Sequence, residues 1–357
     1  MRSFRTSLLI VFLALVGITI ASCGHVVSGM TPNSNEPLSV LPQAFPNSVV
    51  PRIYVASGCS GCFPSIGPAV LAYPGSASGN IAPAIKIAGS NTALGITRDV
   101  AFDSTGNLYV NTDYCSGGSC QRSCILTYAP GANGNAKPIR KICGSNTGLI
   151  NCDTFGLAID RNNNIYVSKH TFGSPPFDKI YEFRAGASGN VAPIRRLVGS
   201  STGLDGTFGI AVDAAGRLYA ANGYSGTITI YAAGASGNTA PIRTLHSYFS
   251  PSGIALDASD NIYVVDVGQA PGDGALLVFK RNTNGSYSES GFVGQLNDPD
   301  GVAVNGTGTT IYMAIDGTSV EESAISVYIH NSTGLHFSHK ITGSNTGLAA
   351  PSGGALH

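Results

Sequence analysis

A five-residue pattern returns five times along this chain, each time followed by the same succession of short runs. The copies are Asp99-Val-Ala-Phe-Asp103, Gly156-Leu-Ala-Ile-Asp160, Gly209-Ile-Ala-Val-Asp213, Gly253-Ile-Ala-Leu-Asp257 and Gly301-Val-Ala-Val-Asn305, spaced 57, 53, 44 and 48 residues apart. After each comes a polar turn and a run containing Tyr109, Tyr166, Tyr219, Tyr263 or Tyr312. A third run ends near Tyr128, Phe183, Tyr231, Phe279 or Tyr328, and a fourth opens in three copies with Pro-Ile-Arg (138–140, 193–195, 241–243). Alternation of apolar and polar residues over four to eight positions describes half-buried strands. Four such strands in a unit of roughly 40–55 residues describe a blade of a β-propeller. No segment beyond residue 22 sustains a 3.6-residue period, so the class is all-β.

The ends of the chain set the number of blades. Arg52-Ile53-Tyr54-Val55 matches the second strand of a blade, Tyr73 ends the third and Ile85-Lys86-Ile87 is the fourth. The missing first strand lies at the other terminus, where Pro351-Ser-Gly-Gly-Ala-Leu-His357 mirrors Pro251-Ser-Gly-Ile-Ala-Leu-Asp257. A six-bladed ring closed by the C-terminal strand follows, with alanine at one first-strand position throughout: 101, 158, 211, 255, 303 and 355. Closure removes the open sheet edges that invite aggregation.

Composition bears on what such a ring can bind. Twenty basic and twenty acidic residues cancel, and 11% charged residues is far below the roughly 25% of an ordinary domain. A chain with 43% apolar residues is not disordered, and a neutral one lacks the footprint of a nucleic-acid binder. Ahead of the repeats, Arg2 and Arg5 precede an apolar run, Leu8 to Ile20, too short for a membrane span of about 20 residues. Charge followed by a short apolar run marks residues 1–22 as a secretory signal. Residues 24–48, rich in Pro, Asn and Ser, form a tether, and the propeller occupies 49–357.

Ile20-Ala21-Ser22-Cys23 resembles the lipobox of bacterial lipoproteins. That resemblance implies cleavage before Cys23, attachment of a lipid to its thiol and residence at the cell envelope. The non-acidic Gly24 implies the outer membrane if the host is Gram-negative. Across 49–357, Gly209-Ile-Ala-Val-Asp213 with Arg217-Leu-Tyr-Ala-Ala-Asn222, and Asn261-Ile-Tyr-Val-Val-Asp266, resemble the NHL-repeat and TolB-like six-bladed propellers. Members of that group include lactonases, lyases, quinoprotein dehydrogenases and binding modules, so the resemblance implies fold more than activity.

Regular positions of the repeat are expected to be structural. Asp103, Asp160, Asp213 and Asp257 each precede a turn whose backbone N–H groups a carboxylate can accept. The strand-two tyrosines and strand-three aromatics are expected in the core. Arg140, Arg195 and Arg243 fall in the outermost strands and are expected on a solvated rim rather than in a polyanion site. Departures from the repeat carry the candidate site. Asp99 stands where the other five blades have glycine, and Arg98 precedes it. Asp300 lies toward the same end of the channel, and the strand-two exits add Asp113, Lys169-His170, Asn222, Asp266 and Asp316. These residues are expected either to form a polar ring at the channel mouth or only to hydrate loop ends.

Gluconolactonase-like propellers hold a divalent cation at that mouth. The corresponding positions here are Arg98, Phe155, Phe208, Ser252, Asp300 and Ser352, of which only Asp300 suits a hard cation. Calcium wants six to eight oxygens, and Asp266, Asp300 and Asp316 make a weak set. His170 has no partner Glu of the kind a lyase would need, and no phosphate loop or nucleophile elbow occurs. No cofactor or catalytic residue is therefore assigned.

Seven cysteines follow Cys23: Cys59, Cys62, Cys115, Cys120, Cys124, Cys143 and Cys152. The propeller layout gathers them on one side of the ring, in the two-to-three loops of blades one and two and around the four-to-one loop into blade three. In an exported protein they are disulfide candidates. Cys143 with Cys152, at the two ends of one short excursion, is the favoured pair; the remaining connectivity is open. The functional expectation is a monomeric, lipid-anchored envelope module that binds a protein or small ligand. A metal-dependent, lactonase-like hydrolase or lyase at the channel mouth is the alternative.

Overall fold

The computed structural model describes residues 51–357 apart from 59–66, 117–118, 172–177, 271 and 318; of 116, 119 and 120 it describes the backbone. Cys23, Cys59 and Cys62, the signal, the tether and the Cys120 side chain lie outside the described residues.

Six four-stranded antiparallel sheets form six blades around one axis. Blade two, for example, runs Ile96–Phe102, Leu108–Ser116, Ser119–Tyr128 and Arg140–Ile142 from the axis outward. Blade three begins with Thr154–Ile159 and Ile165–Lys169, and blade four with Thr207–Val212 and Leu218–Asn222. Gly354–Leu356 pairs with Arg52–Ser57 in the register Ile53↔Leu356, Tyr54↔Ala355, Val55↔Gly354, so the C-terminal strand closes the ring as expected. Ser145–Thr147, a 3₁₀ turn, is the one helical element among the described residues.

Adjacent first strands meet around the axis so tightly that glycine is required. A Cβ on Gly156 would lie 2.5 Å from the Phe208 carbonyl oxygen, and one on Gly209 2.5 Å from that of Ser252. The six recurring alanines are all buried. So are the strand-two tyrosines and strand-three aromatics, packed between neighbouring sheets. Each turn aspartate does what its position implies. Asp213, for instance, accepts from Ala215 N and Arg217 N, and the Tyr219 hydroxyl donates to it at 3.0 Å. The same box recurs at Asp103, Asp160 and Asp257.

Neighbouring blades are latched by a repeated asparagine. The amide oxygens of Asn80, Asn135, Asn190 and Asn238, in three-to-four connections, each accept a backbone N–H from the preceding blade's four-to-one loop at 2.7 Å: Asn345, Asn91, Asn146 and Ser201. Blades five and six have long outer strands instead, Tyr287–Leu296 and Gly334–Thr342.

The favoured cysteine pairing is corrected. Cys143 is joined to Cys124, not to Cys152. Cys124 lies within strand three rather than in a loop, and the register Ile125↔Ile142 sets it opposite Cys143, with Cα atoms 4.7 Å apart. The Cys152 thiol, buried, donates to the carbonyl oxygens of Arg122 (3.4 Å) and Tyr114 (3.6 Å). Cys115 is also disulfide-bonded.

Candidate functional site

Strand one enters every blade from the face that carries the two-to-three and four-to-one loops. At that level the six residues Arg98, Phe155, Phe208, Ser252, Asp300 and Ser352 are all buried. The Arg98 guanidinium lies over the Phe155 ring at 5.4 Å, and Phe155 meets Phe208 edge-on at 5.0 Å. Side chains therefore fill the axis here.

The predicted polar residues take their hydrogen bonds from different partners. Arg98 Nε donates to Asp113 Oδ2 at 2.7 Å, and Asp113 Oδ1 accepts from Ser123 and Thr154. Asp99 is an inter-blade staple: its Oδ2 accepts the Leu157 N–H at 2.7 Å, and its Oδ1 accepts from Val100 N. The slot tolerates a side chain in blade two because Gly353 next door has none; a Cβ there would lie 2.3 Å from the Asp99 Cα. Asn222 bonds Thr207 and Thr229 within blade four. Asp266 closes the loop before blade five, accepting from Ser247 Oγ and from the backbone N–H groups of Phe249, Ser250 and Gly268. Asp300 is fully buried, and burial, then the charges of Asp316 and Asp298, push its carboxyl well above the usual range against the opposing pull of Arg98. Among the described residues no group of three or more His, Cys, Asp or Glu is arranged to hold a metal.

What the structure gathers lies over blades three and four. Lys169 ends strand two of blade three, and its buried ammonium donates to the Cys152 carbonyl. Burial lowers its pKa against the opposing pull of Asp153 and Asp113. The next residue, His170, is also buried, with Nδ1 2.7 Å from Asp178 Oδ1. Asp178 is anchored in turn by the N–H groups of Thr171 and Thr207. Tyr224 meets His170 edge-on at 5.2 Å and Phe208 at 5.8 Å, yet is 44% exposed. Its ring lies over Gly206, where a Cβ would be 2.6 Å from Tyr224 Cγ. Exposed Asp205 is adjacent in the chain; partial burial and then the charge of Asp178 hold its carboxyl above the usual range, against His170.

The wall beside this cluster is strained. Asn151, Cys152 and Asp153 are consecutive left-handed residues, with φ of 62°, 50° and 66°. Each such residue costs on the order of 1–3 kcal/mol and persists where surroundings over-determine it. Here Asn151 N donates to Gln121 O, Ser123 N to Leu149 O, and His170 N to Asp153 O.

Sequence reading named Lys169 and His170 but missed Asp178, Asp205 and Tyr224. Two of these carried a signal: Asp205 follows a Thr-Gly-Leu that recurs in other blades, and Tyr224 is the bulky residue in a Gly-Tyr-Ser-Gly turn. Asp178 carried none.

No protein-family model matches this chain, and no curated protein matches it in sequence. Its fold is similar to solved structures of low identity. The periplasmic gluconolactonase of Pseudomonas aeruginosa is 12% identical over 85% of this chain and 99% of that one, with a TM-score of 0.56. A provisional 6-phosphogluconolactonase from Bacteroides fragilis is 10% identical over 88% of this chain and 100% of that one, at 0.57. A protein of unknown function from Bacteroides caccae, 10% identical over 86% and 99%, also scores 0.57. At such identities the likeness concerns the fold alone.

Proposed function

We propose that this chain is an exported, lipid-anchored envelope propeller of the NHL-like kind that binds a ligand over blades three and four without transforming it. The lipobox at Cys23 and the apolar run before it support export and anchoring, and the repeat motifs support the NHL-like assignment. One observation carries the binding role. Under this face Arg98 is paired with Asp113 and His170 lies against Asp178, while the Tyr224 ring and the Asp205 carboxylate face solvent. A rigid base carrying an exposed ring and a carboxylate suits capture of a ligand with a cationic group, by cation–π contact and charge.

A second reading, lactone hydrolysis, draws on the His170–Asp178 pair at 2.7 Å and on the names of two fold neighbours. Following the opening of glucono-δ-lactone by pH-stat, with and without added calcium or zinc, separates the two. Binding alone predicts no acceleration over buffer; turnover lost in His170→Gln replaces it with the hydrolase. Spermidine titrations should show saturable binding weakened at least about fivefold by Tyr224→Ala or Asp205→Asn, the loss expected for a contact worth about 1 kcal/mol. Mass spectrometry of the N-terminal peptide tests the anchor, with a diacylglyceryl group on Cys23 as the expected result.

A further inference from the structure

Net neutrality hides a separation of charge between the two faces of the disc. The face opposite the candidate site carries the one-to-two turns and three-to-four connections. On it, Arg52, Lys137, Arg161, Arg184 and Arg243 are exposed, and none of the five enters an ion pair among the described residues. The carboxylates of blades two to four on this face are turned inward: Asp103, Asp160 and Asp213 are buried in their turns, and Glu182 is buried against Arg195. Residues 51–98 contain no acid at all. Over blades one to four the face is therefore basic by subtraction, while in blade five the part-exposed Asp260 is paired with Arg217 and Arg281. Across the disc, Asp205, Asp273, Glu321 and Glu322 are exposed in two-to-three and four-to-one loops.

Apolar side chains accompany the cations. Ile139, Ile194 and Ile242 are 51%, 40% and 59% exposed, each in the connection just before an outer strand. Arg140, Arg195 and Arg243 were expected on a solvated rim. Arg195 and Arg243 are exposed and Arg140 is half-buried; Arg195 is paired with Glu182, whereas Arg140 and Arg243 enter no ion pair among the described residues.

The chain also enters the propeller here. Arg52 N donates to His357 O where strand one of blade one ends, so the 27 residues between Cys23 and Pro51 join the disc at this same face. We infer that this basic face, studded with exposed isoleucines, lies against an anionic lipid surface and turns the acidic candidate site outward. Each basic residue near such a surface adds about 1 kcal/mol, acting within a Debye length, and apolar side chains at headgroup level add to it. The inference rests on the proposed anchoring only for its orientation.

The test uses residues 24–357, which retain all six sheets and lack Cys23, in co-sedimentation with phosphatidylcholine vesicles with or without phosphatidylglycerol. Binding is expected only to the anionic vesicles at low salt, and its loss at roughly 1 M salt, where the Debye length is about 3 Å. K137Q/R161Q/R184Q/R243Q should weaken partitioning more than about fiftyfold at an unchanged melting temperature, with each single change costing about fivefold. D205N/D273N/E321Q/E322Q, on the other face, should not weaken it. Equal binding to neutral vesicles, binding that survives high salt, or insensitivity to the four cation changes overturns the inference. An unlipidated Cys23 in the full-length chain would sink the anchor and leave this result standing; failure to bind vesicles would do the reverse.

Discussion

Arg98 shows how a single departure from the repeat is absorbed. Its guanidinium sits in a filled axis, bonded to a carboxylate with no exposed side chain and covering an aromatic ring. Removing one partner of a buried pair strands the other charge away from water, which typically costs about 3–5 kcal/mol. Arg98→Ala should lower stability by that order in urea unfolding, and adding Asp113→Asn should recover part of the loss. His357 makes the opposite kind of prediction, one about pH. Its ring stacks on Phe102 at 4.2 Å, meets Tyr54 edge-on, and has Arg52 and Asp103 as its charged neighbours. Burial, and then Arg52, lower its pKa from 6.5, with Asp103 opposing. The unfolded chain therefore takes up the proton first as pH falls. Stability from this residue is complete above the unfolded value, declines as pH drops from there to the lower folded value, and changes no further below it. Between about pH 7.5 and about pH 5 the wild type should lose more melting temperature than His357→Phe; equal losses would refute the assignment.

At the scale of elements, two kinds of cross-link tie blade two together and to its neighbours. The Cys124–Cys143 bridge ties its third strand to the end of its fourth, closing a loop of 19 residues. Chain-entropy arguments give about 3 kcal/mol for a loop of this size. Cys124→Ser with Cys143→Ser should cost that order, and non-reducing peptide maps should show 124 joined to 143. The second cross-link is between blades. Asn135 and Asn190 fasten blade two to blade one and blade three to blade two, and the pattern extends to four of the six interfaces. Blade five is without it on both sides, among the described residues.

The whole molecule depends on three residues of pairing at its seam. Gly354–Leu356 covers the inner edge of Arg52–Ser57 and lies between the first strands of blades two and six. Deleting 351–357 would expose that edge and the buried Ala355 and Leu356 positions in an assembly whose total stability is of the order of 5–15 kcal/mol. Aggregation or a large fall in melting temperature is expected, whereas deleting 32–38, outside the described propeller, should leave melting unchanged. Equal effects of the two deletions would argue against closure. Separation of charge belongs to this scale too, since it appears only when buried acids are set apart from exposed bases.

Blade number, strand order, the closing strand, the turn aspartates and the buried aromatics were legible in the chain, because each follows from alternation and turn chemistry within a few residues. The site was legible only in outline. Lys169 and His170 stood out at a strand exit, but Asp178 becomes His170's partner through anchoring to Thr207 of the next blade, 29 residues on. Asp99, a candidate for the channel mouth, accepts the N–H of Leu157, 58 residues away. Cys143 found Cys124 rather than Cys152 because strand register, not the length of the intervening loop, decides which side chains face each other. Local periodicity specifies strands and turns; which side chains meet across blades, and which charges remain in water, is decided by packing between residues the sequence holds far apart.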